Sequence, residues 1–457
     1  MSEVTLNKSI KNKSIKEAGP ISEVQRSEAP QSPVRRFFSV LGPGLVTGAS
    51  DDDPSGIGTY AQAGAQFGFV PLWTALFTFP LMAVVQYICA KIGLVTGHGL
   101  SGVLFKHFPR PVLYTAVGGL IIANTLNAGA DIGAIAAALH MLVPQIPVAP
   151  AIVFTSVSIV MLLMFGSYRM IARVFKWLTL SLFAYVISAF FTHADLRAAF
   201  VHTVIPTFNL SSDYLAVLVA ILGTTISPYL FFWQSDSEVE QARAQDPTAC
   251  LHTDRKRFWR ARSTKEEMKY ATLDVCVGML FSNLVMYFII FTTAATLHKA
   301  GITHITTAES AASALKPIAG SFASTIFALG LIGTGVLAVP ILTGSAAYAT
   351  SQAVGWKYGL EKRPNQAKKF YTFIAVSTIV GMLINFLGLN PMTALLWTAV
   401  INGFIAPPLL VLIMLVATSR KIMGARIITW QTAVVGWLTA ALMTFAAVGL
   451  VWTSFVH

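Results

Sequence analysis

The sequence predicts an all-α integral membrane protein of about eleven spans, arranged as two inverted five-helix halves followed by one extra helix. Composition is the first observation: of 457 residues 55% are hydrophobic and 11% charged, with a mean hydropathy of +0.66, whereas a soluble domain carries about 25% charge. The second is that the apolar runs are long and continuous, without the alternation over about ten residues that marks the strands of a membrane barrel. The third is that the first and sixth runs are each interrupted by a proline in a polar cluster, five spans apart. Equivalent segments of two inverted halves fall at that interval.

Crossing the hydrocarbon core takes about 20 mainly apolar residues per helix. Breaking the chain at charges, prolines and polar clusters puts spans one to eleven at about residues 39–66, 70–95, 112–142, 148–167, 173–193, 214–240, 270–297, 319–353, 369–388, 392–417 and 428–453. The first repeat then covers about 39–193, the second about 214–417, and 39–457 forms one transporter domain. Residues 1–38 read as a disordered cytoplasmic tail: they carry Lys8, Lys11, Lys13, Lys16, Arg26, Arg35 and Arg36 and no early apolar core of a signal peptide.

The net charge of +12 is explained by its placement. With the amino terminus inside, the inner loops hold Lys91, Lys106, Arg110, Arg169, Arg173, Lys176, the sets Arg243 to Lys269 and Lys357 to Lys369, and Arg420, Lys421 and Arg426. The outer loops hold only Arg197, Lys299 and Lys316. This bias obeys the positive-inside rule and would scramble if a span were gained or lost mid-chain. It predicts a multi-pass protein of the plasma membrane, with a cytoplasmic amino terminus and His457 outside, and needs no nucleic-acid partner. The basic segment Ala242 to Tyr270 reads as a topology-setting, solvated loop. Cys89 and Cys276 lie in apolar runs and Cys250 in that loop, so no disulfide framework is expected. The absence of a P-loop argues against ATP-driven transport by this chain alone.

The chemistry concentrates at the two breaks. Span one reads Gly42-Pro43-Gly44, then Ala49-Ser50-Asp51-Asp52-Asp53-Pro54-Ser55-Gly56; span six reads Gly223-Thr224-Thr225-Ile226-Ser227-Pro228-Tyr229. A proline at mid-membrane removes a donor and frees carbonyls that need a partner. The half-helices ending before Pro54 and Pro228 aim negative dipole ends at the gap, which favours a cation there. An acid inside a span costs about 2.5 to 3.5 kcal/mol on insertion scales and usually marks an ion route. Asp53 is therefore expected to face the ion. Asp51 and Asp52 read equally as ion-facing or as an interfacial pair exposed to water.

At these residues the chain resembles the NRAMP family of divalent metal transporters, which have an Asp-Pro-Gly-Asn break in the first helix and an Ala-x-x-Met-Pro-His break in the sixth, on a LeuT-type fold. The resemblance runs over nearly the whole transmembrane part, including Gly42-Pro43-Gly44 and Leu94-Val95-Thr96-Gly97. It implies that Asp53 is the metal-binding carboxylate and that Thr224 offers a backbone carbonyl. Gly56 stands where the family has a ligating Asn, and Ser227 where it has a Met. Hydroxyl, carbonyl and carboxylate oxygens suit Mg²⁺ and Mn²⁺, whereas a thioether favours softer metals. Gly56 also leaves room for the waters that Mg²⁺ keeps. The combination is similar to the NRAMP-related magnesium transporters, which implies uptake of partly hydrated Mg²⁺ (and Mn²⁺) as substrate, with no resident cofactor, by a monomer in the lipid bilayer.

The same resemblance places Asn127 and Ala130 at the family's acidic relay positions and Tyr229 and Gln234 at its histidines; none of these titrates near neutral pH. It thus implies transport uncoupled from protons. Asp131 stands beside that slot, either as a displaced relay acid or as a structural acid bonded to neighbours such as Asn127. Asn402, near Pro407 and Pro408, would orient the ion's water shell or bond helix to helix. His140, His202, His298 and His304 fall at span ends or loops and read as interfacial; Trp73, Trp397 and Trp452 fit an aromatic belt; Gly330, Gly333 and Gly335 suggest close helix packing. The rival readings are a proton-coupled Mn²⁺ or Fe²⁺ symporter and an organic-substrate carrier. An intramembrane enzyme lacks support, because no zinc motif or nucleophile elbow appears.

Overall fold

The computed structural model describes residues 42–165, 183–192, 194–209, 211–245, 265–316 and 320–456. Among these there is no strand. Eight helices are long and apolar enough to cross a bilayer: Val70–Thr96, Arg110–Leu142, Ser212–Arg243, Met268–His298, Ala323–Val354, Lys368–Leu387, Pro391–Thr418 and Trp430–Phe455. These are spans two, three and six to eleven. Span four is the shorter helix Val148–Phe165, and span five is described only over Phe183–Phe191. The expected tail 1–38, the start of span five and most of the basic segment lie outside the described residues.

Span one is two helices, Pro43–Asp51 and Pro54–Phe67. Span six is likewise divided into Ser212–Thr225 and Pro228–Gln245. Proline alone does not cause the breaks, because Pro80, Pro340, Pro407 and Pro408 sit inside continuous helices. What distinguishes Pro54 and Pro228 is the residue before each. Asp53 has extended backbone and accepts from the Gly56 amide, starting a new helix as its N-cap. The Ser227 hydroxyl turns back onto the Gly223 and Thr224 carbonyls, which the missing turn leaves without amide partners.

Contacts between the broken spans fix their relation. Thr47 meets Gln234, Ser50 meets Tyr229, and Gly56 faces Thr224. Span one therefore rises as span six descends, with the breaks level, as the inverted repeat requires. Span seven runs parallel to span one. A methyl group on Gly44 would strike the Val275 backbone, one on Gly48 the Gly278 carbonyl, and Asp51 hydrogen-bonds Ser282. Glycine is needed there because the two backbones touch. Asp274 secures the start of span one across 230 residues, accepting from the Gly44 amide at 2.6 Å. It also accepts from Gly42 at 2.9 Å and Leu45 at 3.1 Å. These are the amides that a helix start leaves without partners.

Candidate metal-ion site

The two breaks enclose a polar chamber inside an apolar bundle. Asp51, Asp52, Asp53, Asn127, Asp131, Thr224, Ser227 and Asn402 are all at most 1% exposed. These groups are thus closed to solvent. A cavity of about 640 Å³, lined in part by Gln62, Gln66, Asp213 and His304, descends only as far as Gly58. Gln62 holds its rim by donating to the Thr303 carbonyl and accepting from the Ile305 amide.

Asp53 is the most connected acid between the two breaks. Its Oδ1 accepts from the Gly56 amide and the Ser55 hydroxyl, both at 2.7 Å, and its Oδ2 accepts from Asn127 Nδ2 at 3.0 Å. The carboxylate is therefore a helix cap first, held rigidly with lone pairs left over. Gly56 lies at the focus of an oxygen cluster. A side chain started there would stand 3.1 Å from Thr224 Oγ1, 3.2 Å from the Asp51 carbonyl and 3.4 Å from Asp53 Oδ1. Three oxygens from two unwound stretches thus converge where this chain has no side chain. Ser227 adds a hydroxyl, but it faces the Gly223 and Thr224 carbonyls, so the Thr224 carbonyl is not bare.

Sequence reasoning placed Asp53, Gly56, Thr224 and Ser227 together, and the structure brings these four together. Asn402 stands beside Gly403, whose backbone abuts Gly223, and neither atom of its buried amide has a hydrogen-bond partner. Of the two readings of Asp131, the bond to Asn127 is not formed: Asn127 donates to Asp53, and Asp131 is not among its partners. Asp131 instead lies within electrostatic reach of Asp53 and the Ser55 amide, and neither of its oxygens makes a hydrogen bond of ordinary geometry. Tyr229 and Gln234 do structural work. The Tyr229 hydroxyl donates to the Ser50 carbonyl at 2.7 Å, one of those freed by the break, and Gln234 bridges Thr47 to Glu238.

Two buried polar residues level with the breaks were missed. Ser282 hydrogen-bonds Asp51 and Asp52. Its signal was present in the sequence, because Asp274, Gly278 and Ser282 recur every four residues and form a small, polar stripe on an apolar helix. Gln86, buried with no partner for either amide atom, is the other. Span two runs parallel to span six, from the Trp73–Tyr214 hydrogen bond to Gly93 against Ser235, which sets Gln86 level with Pro228.

Residues 44–453 match the sequence family described as natural resistance-associated macrophage protein-like, Nramp. The chain belongs to the Nramp family. Among curated relatives in this family, the divalent metal cation transporter MntH of Klebsiella pneumoniae (strain 342) is 26% identical over 410 residues, covering 89% of this chain and 92% of its own. MntH of Bacillus subtilis (strain 168) is 25% identical over 425 residues, covering 92% and 93%. The crystal structure of the Eremococcus coleocola manganese transporter with an aromatic bis-isothiourea substituted compound superposes with a TM-score of 0.70 at 18% identity. That match covers 93% of this chain and 89% of the other, and establishes a shared fold. The architecture is the LeuT-type inverted repeat with its first and sixth helices broken.

Proposed function

We propose that the protein carries Mg²⁺, and also Mn²⁺, across the plasma membrane as a partly hydrated ion, without moving protons. The observation that carries this reading is the all-oxygen focus at Gly56, made by a carboxylate, a hydroxyl and a carbonyl with no sulfur or imidazole. Oxygen ligands suit hard divalent ions, and Mg²⁺ prefers one or two carboxylates with retained water to a full protein cage. The names of the MntH relatives and of the manganese transporter support a divalent metal cargo. Asp53 supplies the charge, Thr224 and Ser227 supply oxygens, Gly56 leaves the water its space, and Asn402 turns an unpartnered amide to the hydrated ion.

Tyr229, Gln234 and Asn127 are each committed to a structural hydrogen bond, which supports flux driven by gradient and membrane potential. An inside-negative potential contributes about 2.3 kcal/mol per charge per 100 mV, doubled for a divalent ion. Loop charge supports a cytoplasmic amino terminus and an outer carboxyl terminus. A single chain provides every oxygen of the focus, which supports action as a monomer.

A second reading, proton-coupled Mn²⁺ uptake, is favoured by one observation, the unbonded Asp131 beside Asp53. Uptake into proteoliposomes with simultaneous recording of internal pH separates the two. Mg²⁺ entry without acidification is expected. Mn²⁺ entry that acidifies the lumen, with no Mg²⁺ flux, overturns the proposal.

A further inference from the structure

Asp51 and Asp52 form a second polar centre that faces away from the Gly56 focus and onto span seven. Asp51 Oδ2 lies 2.6 Å from Ser282 Oγ and Asp52 Oδ1 lies 3.2 Å from the same oxygen. A hydroxyl has one proton to donate. The second contact therefore needs a proton on one carboxyl or a cation beside the pair. The outer oxygens, Asp51 Oδ1 and Asp52 Oδ2, are buried without any partner. Among the described residues no lysine, arginine or histidine hydrogen-bonds either carboxylate.

A further buried group stands where this centre meets the Gly56 focus. Tyr60, on the half-helix beyond the break, is fully buried, and its hydroxyl, which lies against the Thr224 side chain, makes no hydrogen bond of ordinary geometry. It stands within electrostatic reach of Asp51, Asp52 and Asp53. Buried carboxylate oxygens without partners are costly unless a proton or a cation completes them.

We infer that Asp51, Asp52 and Ser282, with the Tyr60 hydroxyl alongside, form a second binding position for a divalent cation, next to the Gly56 focus. This rests on the divalent-ion reading and extends it. Two carboxylates balance a double charge, and carboxylate, hydroxyl and water are the ligands a hard ion takes. The two positions share Asp51, whose carbonyl faces Gly56 while its side chain faces Ser282. An ion leaving Asp53 toward the Pro43 end of span one thus meets a second cage at once, and adjacent sites let an ion bind firmly yet still leave. The register that builds this position is the Asp274, Gly278 and Ser282 stripe, which brings Ser282 level with Asp51.

Mn²⁺ is the probe, for its anomalous scattering in crystals of the full chain and its binding stoichiometry in detergent. The wild type should show two Mn²⁺ peaks, one by Asp53 and one between Asp51, Asp52 and Ser282. The Asp51→Asn/Asp52→Asn double variant should lose the second and keep the first; Asp53→Asn should do the reverse. Ser282→Ala removes only one neutral hydroxyl, guards against misfolding of the double variant, and should weaken the second ion by about 10- to 100-fold with the first unchanged. A single peak at Asp53 that none of the Asp51, Asp52 and Ser282 changes affects overturns this inference alone and assigns the carboxylate pair a proton. No Mn²⁺ at either place overturns the transport reading as well.

Discussion

Replacing Asp53 by Asn tests the metal-ion reading more cleanly than replacing it by Ala. The carboxylate accepts from Gly56, Ser55 and Asn127. Alanine would strip the N-cap, worth about 1 kcal/mol, and leave buried donors unsatisfied at about 1 to 3 kcal/mol each. Lost uptake would then report a damaged fold. Asparagine keeps an oxygen for the cap, and Asn127 can turn its amide so that its unpartnered Oδ1 accepts from the new one. The stability cost should stay below about 1 kcal/mol, because Asn and Asp cap equally well.

The charge, however, is gone. Two unit charges about 4 Å apart in an effective dielectric of 20 interact by about 4 kcal/mol, and a divalent ion doubles this to about 8 kcal/mol. Desolvation of ion and carboxylate returns roughly half, leaving about 4 kcal/mol. That is about a thousandfold in affinity. Fluorescence-monitored Mg²⁺ and Mn²⁺ uptake in proteoliposomes, with thermal unfolding as the folding control, reads both quantities. Near wild-type uptake by a folded Asp53→Asn protein would refute the reasoning, because another group would then hold the ion.

Four further outcomes follow from the same geometry. Gly56→Asn puts an amide among the three oxygens at 3.1 to 3.4 Å and should lower Mg²⁺ uptake at least about tenfold more than Mn²⁺ uptake in a competition assay. Ser227→Met introduces a thioether and should strengthen inhibition of Mg²⁺ uptake by Cd²⁺, a softer ion, measured by titration. Gly48→Ala drives a methyl into the Gly278 carbonyl and should cost about 1 to 3 kcal/mol or more in thermal unfolding. Gly118→Ala in span three, which meets open space, is the neutral control. Asp274→Ala leaves the Gly42, Gly44 and Leu45 amides uncapped and should loosen Pro43–Asp51 by about 1 kcal/mol or more. Faster hydrogen exchange at Gly44 and Leu45, with span eleven unchanged, is the expected signature.

What the sequence determined by itself was local. Hydropathy over about 20 residues located the spans, and, span five apart, the described spanning helices begin and end within a few residues of those positions. A polar cluster at Pro54 and at Pro228 marked the breaks, since the groups freed by a missing helical turn lie within four residues of one another. Asp53 stood out for the same reason, whereas Gly56, Thr224 and Ser227 were named through the family resemblance.

The tertiary structure alone decided how the acids are shared out. Asp53 meets Asn127 across 74 residues, Asp51 meets Ser282 across 231, and Asp274 caps Gly44 across 230. Those pairings depend on how helices are rotated and staggered against one another. Rotation and stagger are set by where backbones can touch, as Gly48 and Gly278 do. A turn of one helix by a single residue, about 100°, would part every one of these pairs while leaving the apolar pattern of the spans intact.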